Sequence, residues 1–231
     1  EYIGWEDVRP KAAMSAAVGA GPDLVSGWHD DPWLYPDKLL DVTDVAEYLG
    51  AKYGGWEEAC IKYGMKDGRW IAIPMGAPGQ QIVYRKSWAD EAGYDKFPET
   101  TDEFIKCCKK LNSMGHPVGF ALGHSVGDGN NFAYTWLWSY GASTVDADGK
   151  PAINSPETRN ALDGMKELYS AMIPGCASWQ DSHNNKAFLA EQISATNNGI
   201  SIYYALKKDP KLAAIMEDTY HAELPVGPVG K

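Results

Sequence analysis

The chain has 231 residues, with 21 basic against 31 acidic side chains, a net charge of −10 and a pI near 4.9. That length allows one or two domains with a sizeable core, and a hydrophobic content of 44% excludes a disordered tail. No run of about 18 apolar residues exists to span a bilayer, and the acidic balance lacks the clustered Lys and Arg that nucleic acid needs. The 9 Trp and 13 Tyr outnumber the 5 Phe. These rings join an apolar face to a polar tip and suit wet, amphipathic ligands such as sugars. The chain opens at Glu1 without a basic-then-apolar leader, so an export signal is expected to have been removed or not included.

The spacing of Val8, Ala12 and Ala16 predicts a helix from Trp5 to Val18, stopped by Gly19-Ala20-Gly21-Pro22. Asp23-Leu24-Val25 is expected as a short buried strand leading into the loop Gly27–Trp33. This rhythm predicts an α/β fold with ligands at the carboxyl ends of strands. Strands are expected at Trp70–Pro74, after the turn Lys66-Asp67-Gly68, and at Gln80–Arg85, with the Gly/Pro stretch between them crossing from lobe to lobe. Thr100-Thr101-Asp102-Glu103 is a capping box opening a helix whose core face carries Phe104, Cys108 and Leu111, which makes Cys108 a core thiol. A strand at Gly119–Leu122, a polar loop from Gly123 to Asn131 and an aromatic helix from Phe132 to Tyr140 follow. Val145–Ile153 is expected as a hairpin, and Ser155-Pro156 starts another helix, Ser as its cap and Pro at its first position. A helix near Asn184–Ala190, a strand at Ile193–Thr196, the turn Asn197-Asn198-Gly199, a last helix and an extended Leu224–Gly230 complete the order.

The four cysteines, Cys60, Cys107, Cys108 and Cys176, lack metal-ligand spacing, and the five histidines include no i, i+4 pair. Asp146-Ala147-Asp148-Gly149 imitates a calcium loop, but Lys150 and Pro151 stand where a ligand and the sharp-turn glycine belong. Nucleophile elbows and phosphate-binding glycine loops are absent, so no cofactor or catalytic residue is assigned. Instead, amphipathic side chains collect at loops and helix starts: Trp28, His29 and Asp30; Asp128, Asn130 and Asn131 with Trp138; Trp179 and Asp181; Asn197 and Asn198. Flat rings for sugar C–H faces and planar amides or carboxylates for hydroxyls are what a carbohydrate site requires. Each has a plainer reading as well: Trp136 and Trp138 as core, Asn197-Asn198 as a turn and helix cap, Asp30 as a solvated carboxylate.

GPDLVSGWHD, DGRWIAIPMGAPGQQIVYRK, PETTDEFIKCCKKLNSMG, FAYTWLWSYGA, DADGKPAINSPETRNAL and NKAFLAEQISATNNGIS occur in that order. Together they resemble the extracellular solute-binding proteins, family 1, of ABC importers, the group that includes maltose-binding protein. The resemblance implies a type II two-lobed α/β fold, present as an incomplete chain, that holds a carbohydrate or polyol in its cleft for ABC permease subunits. It implies a periplasmic or membrane-attached monomer that performs no chemistry on the ligand. Residues 1–76 would belong to the first lobe, 77–79 to a hinge, 80–223 to the second lobe, and 224–231 to a return crossover. Trp28-His29-Asp30 matches the loop that grips sugar hydroxyls. Asn131 and Ser201 stand where the family often has aromatic contacts, so Trp138 and Trp179 are the candidate replacements. A glycoside-active enzyme built on paired carboxylates and a binding protein for glycerol phosphate or another anion are the alternatives.

Overall fold

In the computed structural model, which describes residues 2–76, 79–124 and 126–230, the chain divides into two units, Glu1–Pro78 and Gly79–Lys231. Ala77 and Pro78, two residues of the expected hinge, lie outside the described residues.

The first unit opens with α1 (Trp5–Val18), closed by left-handed Gly19, whose amide bonds the Ser15 carbonyl. The strand expected at Asp23–Val25 does not form, and Leu24 is 90% exposed. An apolar triplet carries β propensity but becomes a strand only where a neighbour accepts its hydrogen bonds. Helices α2 (Thr43–Tyr53) and α3 (Glu58–Gly64) follow, then a hairpin of β1 (Met65–Lys66) and β2 (Arg69–Trp70). Its turn residues, Asp67 and Gly68, both have positive φ, as a two-residue hairpin matched to strand twist requires. The strand expected at Trp70–Pro74 therefore ends at Trp70, the chain turning instead to bond Ile71 to the Gly64 carbonyl at 2.8 Å. Trp70 is buried beside Trp56, ring centroids 5.5 Å apart, and the Trp56 indole donates to the Ala46 carbonyl at 2.9 Å.

The second unit is built on β3 (Gln81–Arg85), as expected for that segment. It leads into α4 (Lys86–Glu91), then α5 (Thr101–Ser113), capped by Thr100, whose hydroxyl accepts from the Glu103 amide. Next come α6 (Asp128–Ser139), α7 (Pro156–Tyr169), α8 (His183–Leu189), β4 (Ala195–Asn198), α9 (Ser201–Lys208), α10 (Ala213–Glu217) and β5 (Thr219–Ala222). Ser155 caps α7 by accepting from the Thr158 amide at 3.1 Å, with Pro156 at its first position. The hairpin at Val145–Pro151 forms, its turn held by Asp146 accepting from the Asp148 and Lys150 amides.

β3 lies between β4 and β5 and is antiparallel to both, with Ile82 opposite Asn197 and Val83 opposite His221. Asn197-Asn198, expected in a turn, is the end of β4 instead: the ladder with β3 satisfies its backbone, overriding the turn preference of asparagine. β5 was not expected, because Thr-Tyr-His-Ala shows no apolar alternation; as an edge strand it needs none on its outer side. The segment expected as a strand at Gly119–Leu122 contributes single bonds, Gly119 to Ala195 and Leu122 to Cys176, with a parallel bridge from Val118 to Met172. Residues 224–230 run along this unit, Val226 exchanging bonds with Thr101 and Glu99.

Alternation along β3 sends its side chains into two cores. Ile82 and Tyr84 join a cluster with Phe104, Leu111, Phe120, Phe132, Trp136 and Leu168, whereas Val83 faces Phe188, Ile193, Ile202 and Leu206. Trp136 is thus core, its indole donating to the Ala161 carbonyl at 2.8 Å. Trp179 packs against both clusters over Gly119, where an added Cβ would come within 2.7 Å of its ring. Cys107, Cys108 and Cys176 are buried free thiols, and burial pushes Cys107 up to about 12.

Two outcomes follow. Gly119→Ala should destabilise the protein by about 1–3 kcal/mol through overpacking against Trp179 and Ile193, measured by chemical denaturation. Thiol titration of the native protein should find Cys60 as its fast-reacting group, with the three buried cysteines appearing only after denaturation.

Candidate functional site

At the start of α6, the Asp128 and Gly127 amides donate to the Asp181 carboxylate at 2.8 and 3.2 Å. Asp181, brought in from the linker before α8, caps the helix from outside and places an anion at its positive end. The Asp128 side chain accepts from Asn184 at 2.8 Å, Asn198 at 3.3 Å and Gln80 at 3.4 Å. These donors come from α8, the end of β4 and the residue before β3. Asn197 donates to the Gln80 side chain and to the Asp128 carbonyl. Asn198 also donates to Asn185 at 2.8 Å, while its own Oδ1 accepts from Ser201 and the Ile202 amide and so caps α9.

The result is a hub of amide side chains around one carboxylate, and no Lys or Arg donates to Asp128 in the bonds just described. Burial, the largest cause, raises the Asp128 pKa to about 6, and the charge of Asp181 adds to the rise. The donors Asn184, Gln80 and Asn198 act against it, but neutral amides do not offset the lost solvation of a charge. The Oδ1 atoms of Asn184 and Asn197, both shielded from solvent, have no hydrogen-bond partner among the described residues. A shallow hollow of about 280 Å³ opens beside Gln80, lined by Gly79, Gln81, Ala222, Glu223 and Leu224 as well. A larger one of about 650 Å³ adjoins it through Ala222, Glu223 and Leu224, runs between Phe97 and Tyr220, and shares no residue with the hub.

Of the residues singled out by sequence, the hub unites Asp128, Asp181, Asn197 and Asn198. Asn130 and Asn131 lie in the first turn of α6 rather than in a preceding loop, Asn130 exposed and Asn131 half-buried. Trp138 is ten residues beyond Asp128 on the same helix, about 15 Å along its axis, and stacks on Tyr134 at 5.6 Å in solvent. Trp179 serves packing, as described above, with its carbonyl accepting from Gly123. The hub members missed by sequence are Gln80, Asn184 and Asn185. Gln80 looked like the start of a strand and the Asn184-Asn185 pair like a helix start; their amide chemistry alone was a signal, and nothing local placed it beside Asp128.

In the first unit, the Trp28–Asp30 segment is held by Arg9, which forms ion pairs with Asp30 and Asp31. Asp31 in turn accepts the Trp28 amide at 2.7 Å. His29 is exposed, its ring 4.7 Å from that of Tyr63. Among the described residues, no group of three or more His, Cys, Asp or Glu side chains gathers to hold a metal ion, and no helix is long and apolar enough to cross a membrane.

A family profile described as bacterial extracellular solute-binding protein matches residues 1–227. Among curated proteins, a putative binding protein of Brucella abortus is 24% identical over 189 residues, covering 78% of this chain and 44% of that protein. A probable ABC transporter-binding protein of Deinococcus radiodurans is 24% identical over 208 residues, covering 87% and 49% respectively. This chain therefore spans about half the length of the curated relatives it matches. Among solved structures, the sugar transporter of Arthrobacter chlorophenolicus with bound laminaribiose superposes with a TM-score of 0.82 at 19% identity, covering 99% of this chain and 58% of that one. The ABC transporter solute-binding protein of Agrobacterium radiobacter in complex with ribitol gives 0.81 at 23% identity, covering 100% and 60%. These likenesses are to two-lobed α/β binding proteins and establish the fold.

The hub makes a pH-dependent prediction. Folding raises the Asp128 carboxyl from 3.8 to about 6, so between those values the folded state holds a proton that the unfolded chain has lost. The stability contributed through this group is full at acid pH, declines as pH rises from about 4 to about 6, and is level above that. Asp128→Asn should remove this decline, as read from thermal melts of both proteins across that range.

Proposed function

This chain belongs to the bacterial extracellular solute-binding proteins, and from that premise we propose that it captures a neutral carbohydrate or polyol and delivers it to the membrane subunits of an ABC permease. The observation that carries the proposal is the Asp128 hub: the Asp128 carboxylate and five amide side chains from the residue before β3, from α8 and from the end of β4, with no cationic donor among those bonds. Hydroxyl groups both donate and accept, and carboxylates with amides are the partners that suit them, whereas a phosphate calls for Arg or Lys. Structural relatives described with laminaribiose, ribitol and D-mannitol bound agree with this class of ligand.

We propose that the Trp28-His29-Asp30 loop of the first unit and the Asp128 hub of the second are each ligand-contacting elements. Asn131 and, farther along α6, Trp138 would extend the contact. The family's extracellular character supports work outside the cytoplasmic membrane, and a periplasmic or membrane-attached monomer is the form proposed. A glycoside-active enzyme is less well supported, because Asp181, the carboxylate nearest to Asp128 in the hub, is committed to the amides at the start of α6.

The test is a panel of sugars and polyols, including ribitol, D-mannitol and laminaribiose, screened by thermal shift and titration calorimetry on the intact protein. A ligand at about a hundredfold above its Kd should add about 2.7 kcal/mol of stability and raise Tm by several degrees. Asn184→Ala should weaken that ligand at least tenfold. If no member of the panel raises Tm, the proposal fails; sustained product release from an oligosaccharide, abolished by Asp30→Asn, would replace it with the enzymatic reading.

A further inference from the structure

Trp5, the first residue of α1, lies against Trp28 with ring centroids 4.7 Å apart and planes tilted by 40°. Nothing in the first unit's core requires it: Val8 is the buried residue of α1, and Trp5 leaves 42% of its surface open. One turn further along, Arg9 grips Asp30 and Asp31, and Asp31 accepts the Trp28 amide. The loop is thus tied to the same helix that carries Trp5, and the two indoles are held at an angle rather than packed flat. The Trp28 Nε1–H, shielded from solvent, has no acceptor among the described residues, and the Asp30 side chain, two residues further along, remains 48% exposed. The ring contact and the Arg9 ion pairs thus hold together two short segments that carry a part-exposed indole and a half-open carboxylate.

We propose that Trp5 is a ligand-contacting residue, forming with Trp28 an angled aromatic seat for the C–H face of a neutral pyranose or an extended polyol. The inference rests on the solute-capture reading above and adds to it a residue from α1. A sugar or polyol laid on the part-exposed Trp5 ring can donate a hydroxyl to the part-exposed Asp30 carboxylate, which an apolar or purely accepting ligand cannot do. Two carboxylates against the single guanidinium of Arg9 leave this seat net negative, and a phosphorylated ligand is disfavoured on that ground. The pairing of flat indole faces with polar edges is the chemistry that carbohydrate C–H surfaces and hydroxyls match together.

The experiment uses the intact protein and the tightest binder among ribitol, D-mannitol and laminaribiose. Trp5→Ala should weaken binding at least tenfold and Trp5→Phe by no more than about threefold, with both ligand-free variants melting close to wild type. A second measurement needs no variant: N-bromosuccinimide oxidation followed by peptide mass mapping, with and without ligand. Saturating ligand should cut the oxidation of Trp5, 42% exposed in the free protein, at least threefold. Wild-type affinity in Trp5→Ala, or oxidation of Trp5 unchanged by saturating ligand, overturns the assignment of Trp5 and leaves the capture reading standing. A wild-type protein that binds no member of the panel overturns both.

Discussion

A carboxylate withdrawn from water must be met by donors, and Asp128 is met by amides from three separate stretches of chain. Gln80 precedes β3, Asn184 lies on α8 and Asn198 ends β4, so satisfying one side chain fixes the relative positions of all three segments with the start of α6. Neutral donors leave the charge incompletely compensated, which is why the group stays proton-hungry with a pKa near 6. A cation in the same place would have settled the charge and also changed what the surface attracts. The arrangement keeps amide and carboxylate edges together without a fixed positive centre of the kind that phosphate recognition calls for.

The scaffold that holds the hub is rigid for a reason visible along β3. Its alternate residues enter two apolar clusters, so the strand is covered on both faces and its ends cannot drift. The Gln81 end borders the hub through Asn198, its partner across the ladder. At the other end, Arg85 is buried and bonded to Asp218 and Glu191, and it stacks on Trp88. Stacked Phe120 and Phe132, with ring centroids 4.4 Å apart, tie α6 to the segment beside β4 and so fix the helix whose first turn carries Asp128. Helix starts and strand ends meet here, and each depends on a core that lies behind it.

The two units spend their tryptophans differently. In the second unit Trp136 is buried, Trp88 and Trp179 pack against the core, and among the described residues only Trp138 stands clear. In the first, Trp56 and Trp70 make the packed pair, whereas Trp5 and Trp33 are exposed and Trp28 is half-buried beside Trp5. A shared residue type therefore says little about role; the neighbours decide it. Membership in the extracellular solute-binding family and the match of 58% and 60% of the laminaribiose- and ribitol-bound structures frame these observations as part of a longer architecture.

What sequence alone determined was local. The helix at Trp5–Val18, the Thr100 and Ser155 caps, the Asp146 hairpin turn and the buried phase of Cys108 all depend on residues within a few positions of one another. The ordered blocks of the whole chain likewise pointed to the family and to its mixed helix-and-sheet fold. Half of the site was legible too, because Asp128, Asp181, Asn197 and Asn198 have the right chemistry at element ends. Tertiary structure alone decided the rest. Asp23–Val25 found no partner and stayed exposed, Asn197-Asn198 became strand because β3 lay alongside, and Gln80, Asn184 and Asn185 joined Asp128 across 48 to 57 positions of chain. Caps and helical phase are settled by bonds between near neighbours, but a ladder or a buried carboxylate is satisfied by whichever distant segment the fold delivers, and no local pattern records that delivery.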